Sequence, residues 1–141
     1  VAEEPTPINQ RPKEELLFEE NIDAFNRLRA EGKAPNLCSA NLSGLDLRGA
    51  KLAGLDLSGA YLRGANLRGV DLTGCNLHGA SLQGAMISGA MFPPDLSVDE
   101  IRLSVEFGTR LRTNQAVHHL RRLEKLAGEL VVLLRKQAGG E

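Results

Sequence analysis

Few residues in this chain carry reactive groups, and their spacing does not assemble them. Gly44 and Gly49 stand five apart, as glycines bracketing a phosphate-binding loop do, but such a loop needs Lys and then Ser or Thr directly after the second glycine. Ala50-Lys51 follows instead, with no strand-to-helix transition in the flanking residues. His118 and His119 are adjacent, so they point in different directions, and no third ligand lies at metal spacing. His78 falls on an outward position of the repeat described below. Asp46, Asp56 and Asp71 are too dispersed to divide general acid and base roles. Asn41-Leu42-Ser43 has the form of a glycosylation acceptor, but the repeat generates that triplet by itself. No catalytic, cofactor-binding or metal-binding residue is therefore assigned, no cofactor is expected, and the chain is not expected to be an enzyme.

What would position these groups is a five-residue beat. An apolar residue returns at every fifth place from Leu37 and Leu42 through Leu82 to Ile87 and Phe92, and ten glycines from Gly44 to Gly89 keep the same time. On a helix, residues five apart drift by about 140° at each step, so the leucines would point all round it. On a flat strand an odd spacing throws successive side chains to opposite faces. The apolar residues share one environment only if the backbone turns a corner in every repeat, in a constant sense. That is a solenoid.

The neighbouring positions agree. Two places before each central residue lies a small or aliphatic side chain such as Ala60, Ala65 or Cys75, suited to a second inward position. One place before it Asn or Asp recurs (Asn36, Asn41, Asp46, Asp56, Asn66, Asp71, Asn76), side chains that bond to nearby backbone in turns. Gly then removes the Cβ penalty at the corner. Leu, Ala and Gly are mediocre strand formers, so short bridges and turns are expected, not a broad sheet.

The run ANLSGLDLRGAKLAGLDLSGAYLRGANLRGVDLTGCNLHGASLQGA resembles the pentapeptide-repeat proteins, whose unit is approximately A(D/N)LXX. The resemblance implies a mainly β fold, a right-handed quadrilateral β-helix with four repeats to a coil. Three coils follow, with central residues 37–52, 57–72 and 77–92. Stacked at about 4.8 Å they stand only about 15 Å tall. Columns then recur every twenty residues. Arg48, Arg68 and Ser88 share one outer side with Arg63 on the next, a candidate partner surface, and Asn36, Asp56 and Asn76 form a structural column.

The 141 residues suit one small domain with extensions, and the net charge of −1 provides no global field to attract nucleic acid or an acidic membrane. No apolar run reaches the length of a transmembrane helix and no signal-peptide pattern is present. The chain opens at Val1, which implies removal of an initiator Met or a longer leader. Cys38 is expected to point outward and Cys75 inward, two coils apart, so no disulfide is expected and the chain reads as cytoplasmic.

Six segments result. Residues 1–12 form a mobile tail. Within 13–34 one helix, with Phe18, Ile22, Phe25 and Leu28 on a single face, covers the first coil, whose interior and edges would otherwise be open. The solenoid occupies 35–94. In 95–112, Ser97-Val98-Asp99-Glu100 reads as a capping box opening a helix through about Phe107, stopped by Gly108, with Ile101 and Val105 on one face and Val98 nearby. Residues 113–137 form a long amphipathic helix, and 138–141 a mobile tail. Met86 and Met91 replace polar residues on outward positions, which marks a candidate patch covered by the C-terminal segment or by another subunit.

The long helix carries the main functional expectation. Leu123, Leu126, Leu130 and Leu133 follow a heptad seam, and Leu120 and Leu134 widen it. At about 37 Å it is more than twice as long as the solenoid is tall. Self-association into a dimer or larger homo-oligomer is the simplest reading, giving a non-enzymatic scaffold that presents a rigid surface to an unidentified protein partner. An adaptor is the alternative, with His118, Arg121, Arg122, Lys125 and Lys136 gripping an acidic surface or nucleic acid. Some pentapeptide-repeat proteins act on DNA gyrase as DNA mimics, which needs a long acidic rod. Here residues 35–94 set Asp46, Asp56 and Asp71 against Arg48, Lys51, Arg63 and Arg68, a charge of the wrong sign.

Overall fold

A computed structural model describes residues 13–139, without the side chains of 13–14 and 115–121. The tail expected at 1–12 lies outside these residues. Helices α1 (Lys13–Phe18) and α2 (Ile22–Ala30) precede the repeats, and α3 (Val98–Phe107) and α4 (Gln115–Ala138) follow them.

The five-residue beat winds the chain into stacked coils. Parallel bridges join Asn41 to Tyr61, Asp46 to Asn66, Asp56 to Asn76, Tyr61 to Ser81, Asn66 to Met86 and Asp71 to Met91. Each pair spans twenty residues, or four repeats, giving a β-helix-type arrangement. Among the described residues the β structure consists of isolated bridges and not of strands, because one extended position is all that fits between corners. Leu37, Leu42, Leu47, Leu52, Leu57, Leu62, Leu67, Leu72, Leu77 and Leu82 are fully buried. Each contributes about 1.5–3 kcal/mol by leaving water. Ile87 and Phe92, in the last coil, are only partly buried.

The corners explain the composition. The Asn and Asp side chains fold back on their own turns: Asn36 accepts from Cys38 N–H at 2.9 Å, Asp56 from Ser58 N–H at 2.9 Å and Asp71 from Thr73 N–H at 2.9 Å. The glycines of the beat have φ between 67° and 80°, the left-handed region that only Gly enters cheaply. Pro94 occupies the next place on that beat, and its ring fixes φ at about −65°. The coil therefore ends there.

Helices pack against both ends of the coils, and 13–34 forms two of them where a single helix is expected. The chain breaks at Glu20 (φ 56°), and Asn21 caps α2 by accepting from Ala24 N–H. The break changes the helical phase, so Leu16 and Leu17 are buried with Phe25 while Phe18 is 45% exposed. From α2, Asn26 and Arg29 reach the edge of the first coil. Arg29 donates to the carbonyls of Lys51 (3.0 Å) and Ala53 (2.7 Å).

At the far end, α3 and residues after it imitate another coil. Gly44 and Gly64 donate to the carbonyls of Arg63 and Gln83 in the coil above, and Gly84 donates to Val105 in α3. Likewise Gly59 donates to His78, and Gly79 to Leu111. Ser97 caps α3 by accepting from Glu100 N–H at 3.1 Å, and Gly108 ends it at φ 75°. Only half of the capping box forms, because the Glu100 carboxylate is taken by Arg112. Ile101 and Val105 pack toward the core, whereas Val98 is 78% exposed and takes no part.

Candidate functional site

The feature the core does not account for is α4. Its sequence is rich in Leu, Ala, Arg, Lys and Glu, residues that favour helix, and it runs through Gly128 without interruption. From Arg122 onward every described side chain on it is exposed. Leu123, Leu126, Leu130, Leu133 and Leu134 are 52–59% exposed, and Val131 and Val132 46% and 52%. At 100° per residue all of these except Val132 fall within an arc of about 160°. Arg122, Glu129 and Lys136 border the arc on one side, and Glu124 and Arg135 on the other. Leu120 belongs to α4, but its side chain lies outside the described ones. The structure thus brings the seam leucines to one face of one helix and leaves that face in water. An isolated apolar stripe of this kind gains nothing from the chain's own core.

Met86 and Met91 behave differently from one half of the expectation. They are 37% and 50% exposed, so the C-terminal segment does not pack over them. The reason lies in the rim of the last coil. Gly79, Leu82 and Gly84 draw 104–111 onto their own sides, across the end of the solenoid. Among the described residues no hydrogen bond reaches the N–H groups of Ile87 and Gly89, in the column of Met86, or of Phe92, in the column of Met91.

The three arginines on the walls are not equivalent. Arg48 is held by Asp46 in its own repeat, Nη2 to Oδ2 at 2.7 Å and Nε to Oδ1 at 2.9 Å. That contact brings the Asp46 carboxyl down to about 2 from 3.8. The twenty-residue offset carries Arg68 onto the same wall as Arg48. Arg63 stands on the next wall, lining a shallow groove of about 420 Å³ with Tyr61, Gln83 and Arg110. Arg110 lies 4.8 Å from the Tyr61 ring centroid and donates to its hydroxyl at 3.0 Å and to the Gly79 carbonyl at 2.9 Å. Sequence reasoning missed Arg110, since nothing in the periodicity links residues 61 and 110. It also left His78 as a plain outward residue, yet Nδ1 accepts from Thr113 N–H at 3.3 Å and lies 3.1 Å from Thr113 Oγ1, fastening the segment that leads into α4.

Several other polar groups bond within the coils. Cys75 is buried, its thiol donating to the Leu52 carbonyl at 3.0 Å, and burial pushes its pKa upward. Cys38 is exposed, 3.3 Å from Ser58 Oγ. Asp71 accepts from the Thr73 hydroxyl at 2.6 Å, which lowers its pKa. Among the described residues no group of three His, Cys, Asp or Glu could hold a metal ion, and no helix is long and apolar enough to cross a membrane.

Comparison with known families matches the coils. The family model for pentapeptide repeats fits residues 36–69 and 56–92, with eight copies. No curated protein matches the chain.

Proposed function

From its membership of the pentapeptide-repeat family through residues 36–92, we propose that this chain is a non-enzymatic scaffold, a short solenoid assembled into oligomers by α4. In this reading the solenoid is right-handed and has three coils. Residues 13–34 and 95–112 close its ends, and its walls, including Arg63 and Arg68, face a protein partner. The observation that carries the proposal is the exposed stripe on α4, with Leu123, Leu126, Leu130 and Leu133 more than half exposed in the single chain. Covering such side chains with a second copy recovers about 25 cal/mol for each Å² removed from water. In this reading another subunit also packs over Met86 and Met91, which the single chain leaves exposed.

Sedimentation or light scattering tests the assembly. The full chain is expected to be a dimer or larger at micromolar concentration. The variant Leu126→Asp/Leu130→Asp is expected to be a folded monomer, since these side chains contribute nothing to the core. A monomeric full chain overturns the proposal.

Exposed Arg122, Lys125 and Lys136 on one flank of α4 favour a second reading, an adaptor for an acidic surface. It requires salt-dependent binding to anionic vesicles or DNA. Absence of binding at low salt eliminates it.

A further inference from the structure

We infer that two copies of α4 pair antiparallel. The inference rests on the self-association proposed above and adds its geometry. The heptad seam has two unlike flanks. On one side, seven residues apart, stand Arg122, Glu129 and Lys136; on the other stand Ala127 and Leu134.

In a parallel pair each flank of one helix meets the opposite flank of its neighbour. Arg122 would then face Ala127 of the second copy, and Glu129 would face Leu134. The ionic groups gain no partner there, and Leu134 is covered by a carboxylate. In an antiparallel pair like flanks meet. Leu134 and Ala127 close against the apolar flank of the second copy, and the charged side chains gather along one wet edge. Opposed helix macrodipoles favour the same arrangement.

Two antiparallel registers follow. One sets Leu123 against Leu126 of the second copy and brings each Arg122 to the other copy's Glu129, matching opposite charges, but it carries Leu130, Leu133 and Leu134 to the level of residues 119, 116 and 113, at and beyond the start of α4. The other sets Leu126 against Leu130 and stacks leucine on leucine throughout, but places Arg122 against Lys136 and Glu129 against Glu129. Both belong to one orientation, which a parallel pair cannot imitate.

Oxidative cross-linking of single-cysteine seam variants in the full chain, made with Cys38→Ser, separates the orientations. Leu123→Cys, Leu126→Cys and Leu130→Cys are expected to give little disulfide alone. Mixing Leu126→Cys with Leu123→Cys or with Leu130→Cys is expected to give a heterodimer. Efficient disulfides of each variant with itself would show a parallel pair and overturn the orientation while leaving self-association intact. A monomer by light scattering overturns both.

Because a seam cysteine can weaken assembly, a spin label at Ala138→Cys provides an independent distance. About 30 Å or more between labels is expected for antiparallel helices, against about 10–20 Å for parallel ones. The shorter distance in a confirmed dimer overturns the inference.

Discussion

Asn26 stands opposite Lys51 as though it were a piece of the missing coil. Lys51 N–H donates to Asn26 Oδ1 at 2.9 Å, while Asn26 Nδ2 donates to the Gly49 carbonyl at 2.8 Å. A side-chain amide has the same donor and acceptor as a backbone peptide, so it satisfies an edge that would otherwise await another strand. Asn26→Leu keeps the helix but removes both bonds. It is expected to cost about 1–2 kcal/mol by thermal or urea unfolding. Asn26→Asp, which retains only the acceptor, should fall between the two. No loss in Asn26→Leu would show that water serves this edge equally well.

The opposite end uses a hydroxyl. Leu42 and Leu62 donate to the Tyr61 and Ser81 carbonyls of the coils above them, whereas Leu82 donates to Ser104 Oγ at 2.9 Å. Ser104 is completely buried. Ser104→Ala leaves the Leu82 N–H without a partner away from water, an expected loss of about 1–3 kcal/mol. Ser104→Thr retains the hydroxyl and should recover part of this, less any cost of crowding by the added methyl. Equal stability of the Ala variant and the parent would refute the role given to this bond.

Ser39 occupies the place on the beat that Gly holds in the repeats after it, and its φ is 58°. A non-glycine residue pays about 1–2 kcal/mol in this region. Ser39→Gly removes that cost but gives the unfolded chain more freedom, so a net gain of several tenths to about 1 kcal/mol is expected. Gly74→Ala runs the other way. Its φ is 73° and an added Cβ would meet Gly54 Cα at 3.4 Å, so a loss of at least about 1–2 kcal/mol is expected. Denaturant midpoints of the two variants moving in the same direction would contradict this account of the corners.

These contrasts show what the residues alone make legible. The leucine beat and the left-handed glycines are local, repeated many times, and each repeat confirms its neighbours, so the solenoid could be read directly. The Asn and Asp turns were readable for the same reason. The caps are single events. Glu20 breaks one expected helix into α1 and α2, and the break puts Leu16 and Leu17 inside in place of Phe18. Asn26, Ser104 and Arg110 act across long stretches of sequence, where periodicity carries no signal. The seam of α4 was visible as a pattern, but a pattern does not say what lies against it. Its exposure is what makes it a candidate interface.

Acid should weaken the fold through a small set of carboxylates that all act with one sign. Arg112 grips Glu100 with Nη2 to Oε1 at 2.6 Å and Nε to Oε1 at 2.8 Å, holding the Glu100 carboxyl below its usual 4.5. Arg48 lowers Asp46 from 3.8 to about 2, and the Thr73 hydroxyl lowers Asp71. A depressed folded-state pKa stabilises the protein when pH is above the unfolded value, and that contribution is lost as pH falls through the folded one. The melting temperature should therefore vary little between about pH 7 and pH 5 and then decline from about pH 4.5 toward pH 2. Glu100→Gln removes the ion pair that ties 108–112 to α3. It should lower the melting temperature near neutrality, and its deficit relative to the parent should shrink as acid protonates Glu100 in the parent. A deficit that stays constant down to about pH 2 would mean that the ionised pair is not its source.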